Sequence, residues 1–218
     1  MISSVSTYGG NGAAIEELLK PDRPAGVEPE QRVVYFGISW GRYLAIDKRL
    51  GDDRSIPQLY FLDGELEIMT TSNEHERVKR LIGDFLGDYF METGTEVVPR
   101  GQATMRNPLK EAGAEPDESW CIGEEQQFPD LVLEIALTSG GVNKLEIYRR
   151  FKVPEVWFYR RNQIEIFVLG KSGRYSKVQK SKLLRGLDIS LVERCLRIHS
   201  WQQARQTFRA GLAKSRRS

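Results

Sequence analysis

The sequence predicts an α/β fold, a mixed β-sheet flanked by helices, and three observations predict it. Asp63-Gly64 separates two strand-like runs, and such a dipeptide favours the tight hairpin turn whose central residues need positive φ. A helical stripe follows at once, with Val78, Leu81, Ile82, Phe85, Leu86 and Tyr89 on one face. Leu131–Leu137 then reads as a buried strand, and a Gly-Gly break leads to a second amphipathic helix. Hairpin, helix, strands, helix and strands again give a mixed sheet with helices packed on it.

Residues 1–31 are rich in Gly, Ser and Pro and read as a flexible N-terminal arm, with one helical turn at Ala14–Lys20. The main domain is placed at residues 32–200. Ser39 to Leu50 suits a short helix with Trp40, Tyr43, Leu44 and Asp47 on successive turns. In the hairpin, Phe61 should face Leu66 and Leu59 should face Ile68, with Glu65 and Glu67 on the other side. Asn73 and Glu76 have the spacing of a capping box at the start of the next helix, which should end near Gly94.

Strand candidates follow at Thr95–Pro99, Gln102–Arg106, Pro116–Ile122 and Leu131–Leu137, then a helix from about Val142 to Lys152. Val156–Tyr159 and Ile164–Leu169 form a second hairpin around Arg160–Gln163. A short strand near Tyr175–Gln179 and helices at Leu191–Leu196 and Trp201–Phe208 complete the pattern. Residues 201–218 read as a basic C-terminal helix and tail.

The 218 residues suit one compact domain plus tails, and the composition, 40% hydrophobic and 28% charged, is that of a globular protein. No apolar run approaches the ~18–20 residues of a membrane span, and the N-terminus lacks a signal-like charge and apolar pattern. Cys121 and Cys195 alone make neither a disulfide framework nor a zinc cluster, so a cytoplasmic protein is expected. The net charge of +2 conceals an asymmetry. Residues 111–134 carry eight acids and no Lys or Arg, whereas residues 141–185 carry twelve bases and three acids. An acidic block suits a cation and a basic half suits a polyanion; a solvated surface is the plainer alternative. Nucleotide-binding glycine loops and a serine-hydrolase elbow are absent from the sequence.

Glu134 stands inside the apolar run Leu131–Leu137. A buried carboxylate there must be paired, protonated or bound to a metal. Asp117 opens the strand before it. If the two strands pair across the polar loop 123–129, one register sets Asp117 opposite Glu134 with Cβ atoms ~5 Å apart, and a one-residue slip separates them. Carboxylates that close repel unless a proton or cation intervenes, and oxygen ligands suit Mg²⁺ or Mn²⁺. A plain turn residue after proline is the alternative for Asp117, and a structural ion pair for Glu134. Lys144 shares a helix face with Ile147, Tyr148 and Phe151, so it either snorkels to water or reaches a negative partner. His75 lines up with Val78 and Ile82 at a helix N-terminus, where a hydrogen-bonded buried histidine is commonest; Glu74 suits the positive end of the helix dipole. Both are auxiliary candidates.

The order Asp117, Glu134, lysine resembles that of the PD-(D/E)XK nucleases. The wider pattern is similar to one branch of them, the Uma-two family of restriction endonucleases. The matching stretches are Tyr60–Met69, the helix opened by His75, Pro116-Asp117, Pro129–Thr138, Lys144 with Tyr148, and Val153–Trp157. The resemblance covers about residues 35–190 and implies a restriction-endonuclease-like fold. It implies Asp117 and Glu134 as metal ligands, with Mg²⁺ or Mn²⁺ as cofactor and Lys144 as the motif lysine, displaced to a helix because Ala136 holds the strand position. Gly140 stands where many relatives carry an acid, and Lys152 and Val156 replace the more usual Gly and Tyr. The implied activity is metal-dependent endonucleolytic hydrolysis of DNA phosphodiester bonds, by analogy as a homodimer. An inactive nuclease fold that binds nucleic acid and a protein-interaction domain are the rivals.

Overall fold

Among residues 30–51, 56–137 and 140–215, which the computed structural model describes, the chain forms eleven strands and five α-helices. The helical turn expected at Ala14–Lys20 lies outside these residues. The Asp63-Gly64 hairpin forms in the expected register, Leu59 against Ile68 and Phe61 against Leu66, with Asp63 and Gly64 both at positive φ.

The mixed α/β architecture holds, but the strands divide into two sheets rather than one. The first sheet is antiparallel. It contains β1 (Arg32–Tyr35), β2 (Gln58–Leu62), β3 (Glu65–Met69), β5 (Met105–Asn107) and β6 (Ala112–Ala114), in the order β1-β3-β2-β6-β5. The second contains β4 (Val97–Pro99), β7 (Glu118–Ile122), β8 (Leu131–Ile135), β9 (Glu155–Arg160), β10 (Gln163–Leu169) and β11 (Tyr175–Val178), ordered β11-β10-β9-β8-β7-β4. Its parallel pair, β8 with β9, is joined through a helical crossover. The short strand β6, Ala-Gly-Ala, has almost no β-propensity and gives no pattern to read. It forms because β2 and β5 pair on either side of it, and because Gly113 leaves room for Tyr43, whose ring lies where a Cβ would be.

Helices α1 (Trp40–Leu50), α2 (Asn73–Thr93), α3 (Lys144–Phe151), α4 (Ile189–Leu196) and α5 (Trp201–Ser215) cover the sheets in layers. Alternation along each strand separates three cores. Leu131, Leu133 and Ile135 of β8 face α2, α4 and α5, whereas Val132 faces α3 and the first sheet. In β2, Leu59 and Phe61 pack with Tyr43 of α1, whereas Tyr60 and Leu62 join the core between the sheets. The polar residues on these inward faces therefore meet between the two sheets.

Helix α2 begins one residue earlier than expected. Its N-cap is Ser72, whose Oγ accepts from the His75 amide at 3.2 Å, so the Asn73–Glu76 capping box does not form. Gly94 ends it in the left-handed conformation. The C-terminal helix runs past Phe208 to Ser215 and is part of the core. Phe208 stacks on Phe85 at 4.7 Å between centroids, and Arg205 and Trp201 grip Asp88 and Asp84 of α2. A Phe208→Ala substitution should therefore lower stability by about 3–5 kcal/mol, read from the urea midpoint, because it empties a closed aromatic site.

Candidate active site

Glu134 lies in the inter-sheet layer because β8 alternates, and it is fully buried there. Strands β7 and β8 pair Glu118 with Leu133 and Ser119 with Val132. Continued by one residue, that register sets Asp117 opposite Glu134 on the same face. The Ile135 amide donates to Asp117 Oδ2 at 2.6 Å and fixes this carboxylate against β8. Helix α3 presents Lys144 from its first turn, and α2 presents His75 from its own. Sequence-predicted Asp117, Glu134, Lys144 and His75 thus come together. Glu74 does not: its half-exposed carboxylate forms a bidentate pair with Arg77.

Glu134 Oε2 accepts from Lys144 Nζ at 2.8 Å and lies 3.0 Å from the Tyr60 hydroxyl, whose single proton is shared with the Glu115 carbonyl at 2.7 Å, while Oε1 accepts from the Tyr148 hydroxyl. Burial pushes this carboxyl up. Lys144 opposes the shift, and the Asp117 charge adds to it. Burial also lifts both tyrosine hydroxyls well above their ordinary range, reinforced by the charge of Glu134, so they stay protonated donors. Asp117 Oδ1 accepts from His75 Nε2 at 2.8 Å and from the Gln58 amide at 2.7 Å. Burial would raise Asp117, but the hydrogen bond and charge of His75, with Lys144 and the Ile135 amide, hold it below its ordinary value.

Beyond His75 stand three further charged residues. His75 Nδ1 meets Glu30 at 3.1 Å; Arg32 bonds Glu30 at 3.0 Å and lies 3.2 Å from Glu67; and Glu67 lies 3.8 Å from Lys144. Asp117, His75, Glu30, Arg32, Glu67, Lys144 and Glu134 therefore alternate in sign from end to end. The two ends are both acids, and they abut. Glu67 could have been found, because the hairpin register places it opposite Tyr60 and away from the Leu59 and Phe61 face. Glu30 and Arg32 could not, since they border a segment without periodicity.

A hard cation fits the Asp117–Glu134 junction. Among the described residues, Asp117 Oδ2 and Glu134 Oε1 each take a single protein donor, which leaves each a second lone pair. The buried Gln58 Oε1 has no hydrogen-bond partner among the described residues. Among the described residues no three His, Cys, Asp or Glu side chains converge as a ligand set. Two carboxylates completed by water and phosphate oxygens match the way Mg²⁺ is usually held.

A polar cleft of about 730 Å³ opens over Lys144, walled by Arg32, Gly140, Gly141, Phe158, Arg160 and Arg161. Arg160 ends β9 and Arg161 begins the turn to β10, where Arg161 and Asn162 adopt positive φ. A second hollow of about 490 Å³, lined by Lys110, Arg149, Arg150, Lys152 and Lys171, lies at the far end of α3, away from the carboxylates.

A family model described as putative restriction endonuclease, Uma2, matches residues 40–203. The chain belongs to the Uma2 family. No curated protein matches it. Among solved structures, a putative nuclease belonging to DUF820 from Anabaena variabilis is similar, with 10% identity and a TM-score of 0.47, covering 75% of this chain and 98% of that one. The Uma2 match spans every charged residue of the site except Glu30 and Arg32, which precede it. No helix among the described residues is long and apolar enough to cross a membrane.

His75 gives the Uma2 site a pH dependence. Burial would lower the imidazole, but hydrogen bonds to Asp117 and Glu30 and the charges of both outweigh it and lift His75 from 6.5 to about 9. The folded form binds this proton more tightly than the unfolded chain. The stabilisation is therefore complete below pH 6.5 and lost as pH rises through about 9. Urea unfolding across that window should show the loss in the wild type and a flatter profile in His75→Gln.

Proposed function

We propose that this Uma2 protein is a Mg²⁺- or Mn²⁺-dependent endonuclease that hydrolyses phosphodiester bonds of DNA, with Asp117, Glu134 and Lys144 as its catalytic set. The observation that carries this reading is the abutting acid pair, in one register on one face, with a lysine on Glu134 and a basic cleft directly above. Asp117 and Glu134 would hold the metal. When bound, it supplies a Lewis acid that polarises the phosphate and lowers the pKa of an attacking water.

The rest of the chemistry belongs to the protein's own groups. Lys144 keeps its ammonium at the floor of the cleft, where it neutralises charge developing on the phosphoryl oxygens and orients the attacking water. The Tyr60 and Tyr148 hydroxyls and the Ile135 amide fix the two carboxylates, so these need no reorganisation during the reaction. His75 holds Asp117 from behind, backed by Glu30. Arg160 and Arg161 at the cleft wall meet backbone phosphates, a contact that is salt-sensitive and carries little sequence information.

Plasmid and oligonucleotide cleavage with Mg²⁺ or Mn²⁺ tests the proposal. Asp117→Ala or Glu134→Ala should each reduce cleavage by at least about 100-fold and abolish calorimetric Mn²⁺ binding, while Lys144→Ala should lower kcat by about 10²–10³ with DNA affinity nearly kept. DNA binding that persists without metal, with no cleavage under any condition, would replace this reading with that of a nucleic-acid-binding module.

A further inference from the structure

Lys144 is ion-paired with two carboxylates and hydrogen-bonded to one. Its Nζ lies 2.8 Å from Glu134 Oε2, 3.8 Å from Glu67 Oε1 and 3.4 Å from the centre of the Tyr60 ring. Glu67 is fully buried, and among the described residues its Oε1 has no hydrogen-bond partner. An unsatisfied buried carboxylate oxygen is costly, and the surrounding structure holds it in place nonetheless.

Three features fix it. The Val142 amide donates to Glu67 Oε2 at 2.8 Å. Gly141, at φ +95°, brings the backbone so close that a Cβ there would fall inside the Glu67 carboxylate. Arg32 Nε forms an ion pair with Oε1 at 3.2 Å but without hydrogen-bond geometry, and among the described residues it has no other hydrogen-bond partner. Glu67 is thus held with one oxygen available beside an ammonium already engaged by Glu134. A lysine carries three donors on a flexible stem, and a shift of about 1 Å would bring Nζ within hydrogen-bond distance of Glu67.

We propose that Glu67 is a second anchor for Lys144, to which the ammonium transfers from Glu134 when a divalent cation enters between Asp117 and Glu134. The inference rests on the metal-dependent reading above. The transfer frees Glu134 Oε2 for the cation and keeps Lys144 paired at the cleft floor. It also gives the vacant acceptor on Glu67 its donor. Glu67 is a positioning residue, acting through Lys144. Without it, an entering cation competes directly with Lys144 for Glu134.

A double-mutant cycle read by Mn²⁺ calorimetry on the full chain tests this, using wild type, Glu67→Gln, Lys144→Met and the double variant, each checked for folding by circular dichroism. Glu67→Gln should weaken Mn²⁺ binding by about tenfold, within the range of couplings between neighbouring charged groups. In the Lys144→Met background the same change should alter affinity less than about twofold, because no ammonium remains to be relocated. An effect of equal size in both backgrounds, or none in either, overturns the anchor and leaves the metal reading standing. Absence of Mn²⁺ binding in the wild type overturns both. Should Glu67→Gln fail to fold, Glu67→Asp completes the cycle; it keeps the charge and withdraws the carboxylate by one methylene.

Discussion

A carboxylate in the middle of a buried strand cannot stand alone, and Glu134 sets that constraint on everything around it. The strand β8 has to be there, because its neighbours Leu131, Leu133 and Ile135 build the core beneath α2, α4 and α5. Its alternation then drives Glu134 into the layer between the two sheets. Burial of that charge calls for Lys144 from α3 and hydroxyls from Tyr60 and Tyr148. The crossover from β8 to β9 and the hairpin of the first sheet are the elements that deliver them. The two-sheet arrangement and the composition of the site follow from one solvation problem.

The solution is an extended alternation of charge rather than isolated pairs. Each acid is flanked by a base until Asp117 and Glu134 meet. In a medium of low polarizability, such ordering matters more than the number of charges, because every like-sign contact is felt strongly. The positive excess of residues 141–185 is deployed differently. Lys144 turns inward, Arg149 and Arg150 pair with Glu146 and Asp63, and Arg160 and Arg161 border the cleft. An apparent block of basic sequence thus serves three unrelated purposes.

Most of the fold was legible because its elements obey local rules. The Asp63-Gly64 turn, the stripe of α2, the apolar run of β8 and the face of α3 each carry their period within a dozen residues. The division into two sheets was not legible. It depends on β1 and β6, short strands defined by what pairs beside them. The Ser72 cap was missed because Asn73 with Glu76 offers a competing local pattern one residue later. In the site, Asp117, Glu134 and Lys144 were conspicuous as charges in apolar or patterned surroundings. Tyr60 and Tyr148 looked like ordinary core aromatics, and their hydroxyls became meaningful only once Glu134 lay between them. Glu30 and Arg32 act across long sequence distances, which no periodicity encodes.

The seven-member alternation of charge also bears on how such a protein could decay. Removing a single member strands its neighbours without compensation, a heavily destabilising event, whereas exchanging a whole buried ionic group for well-packed apolar side chains is often neutral or favourable. Seven mutually dependent charges are thus hard to change one at a time, whereas exchange of the whole set for aliphatic residues would spare the fold while removing the charge between the sheets.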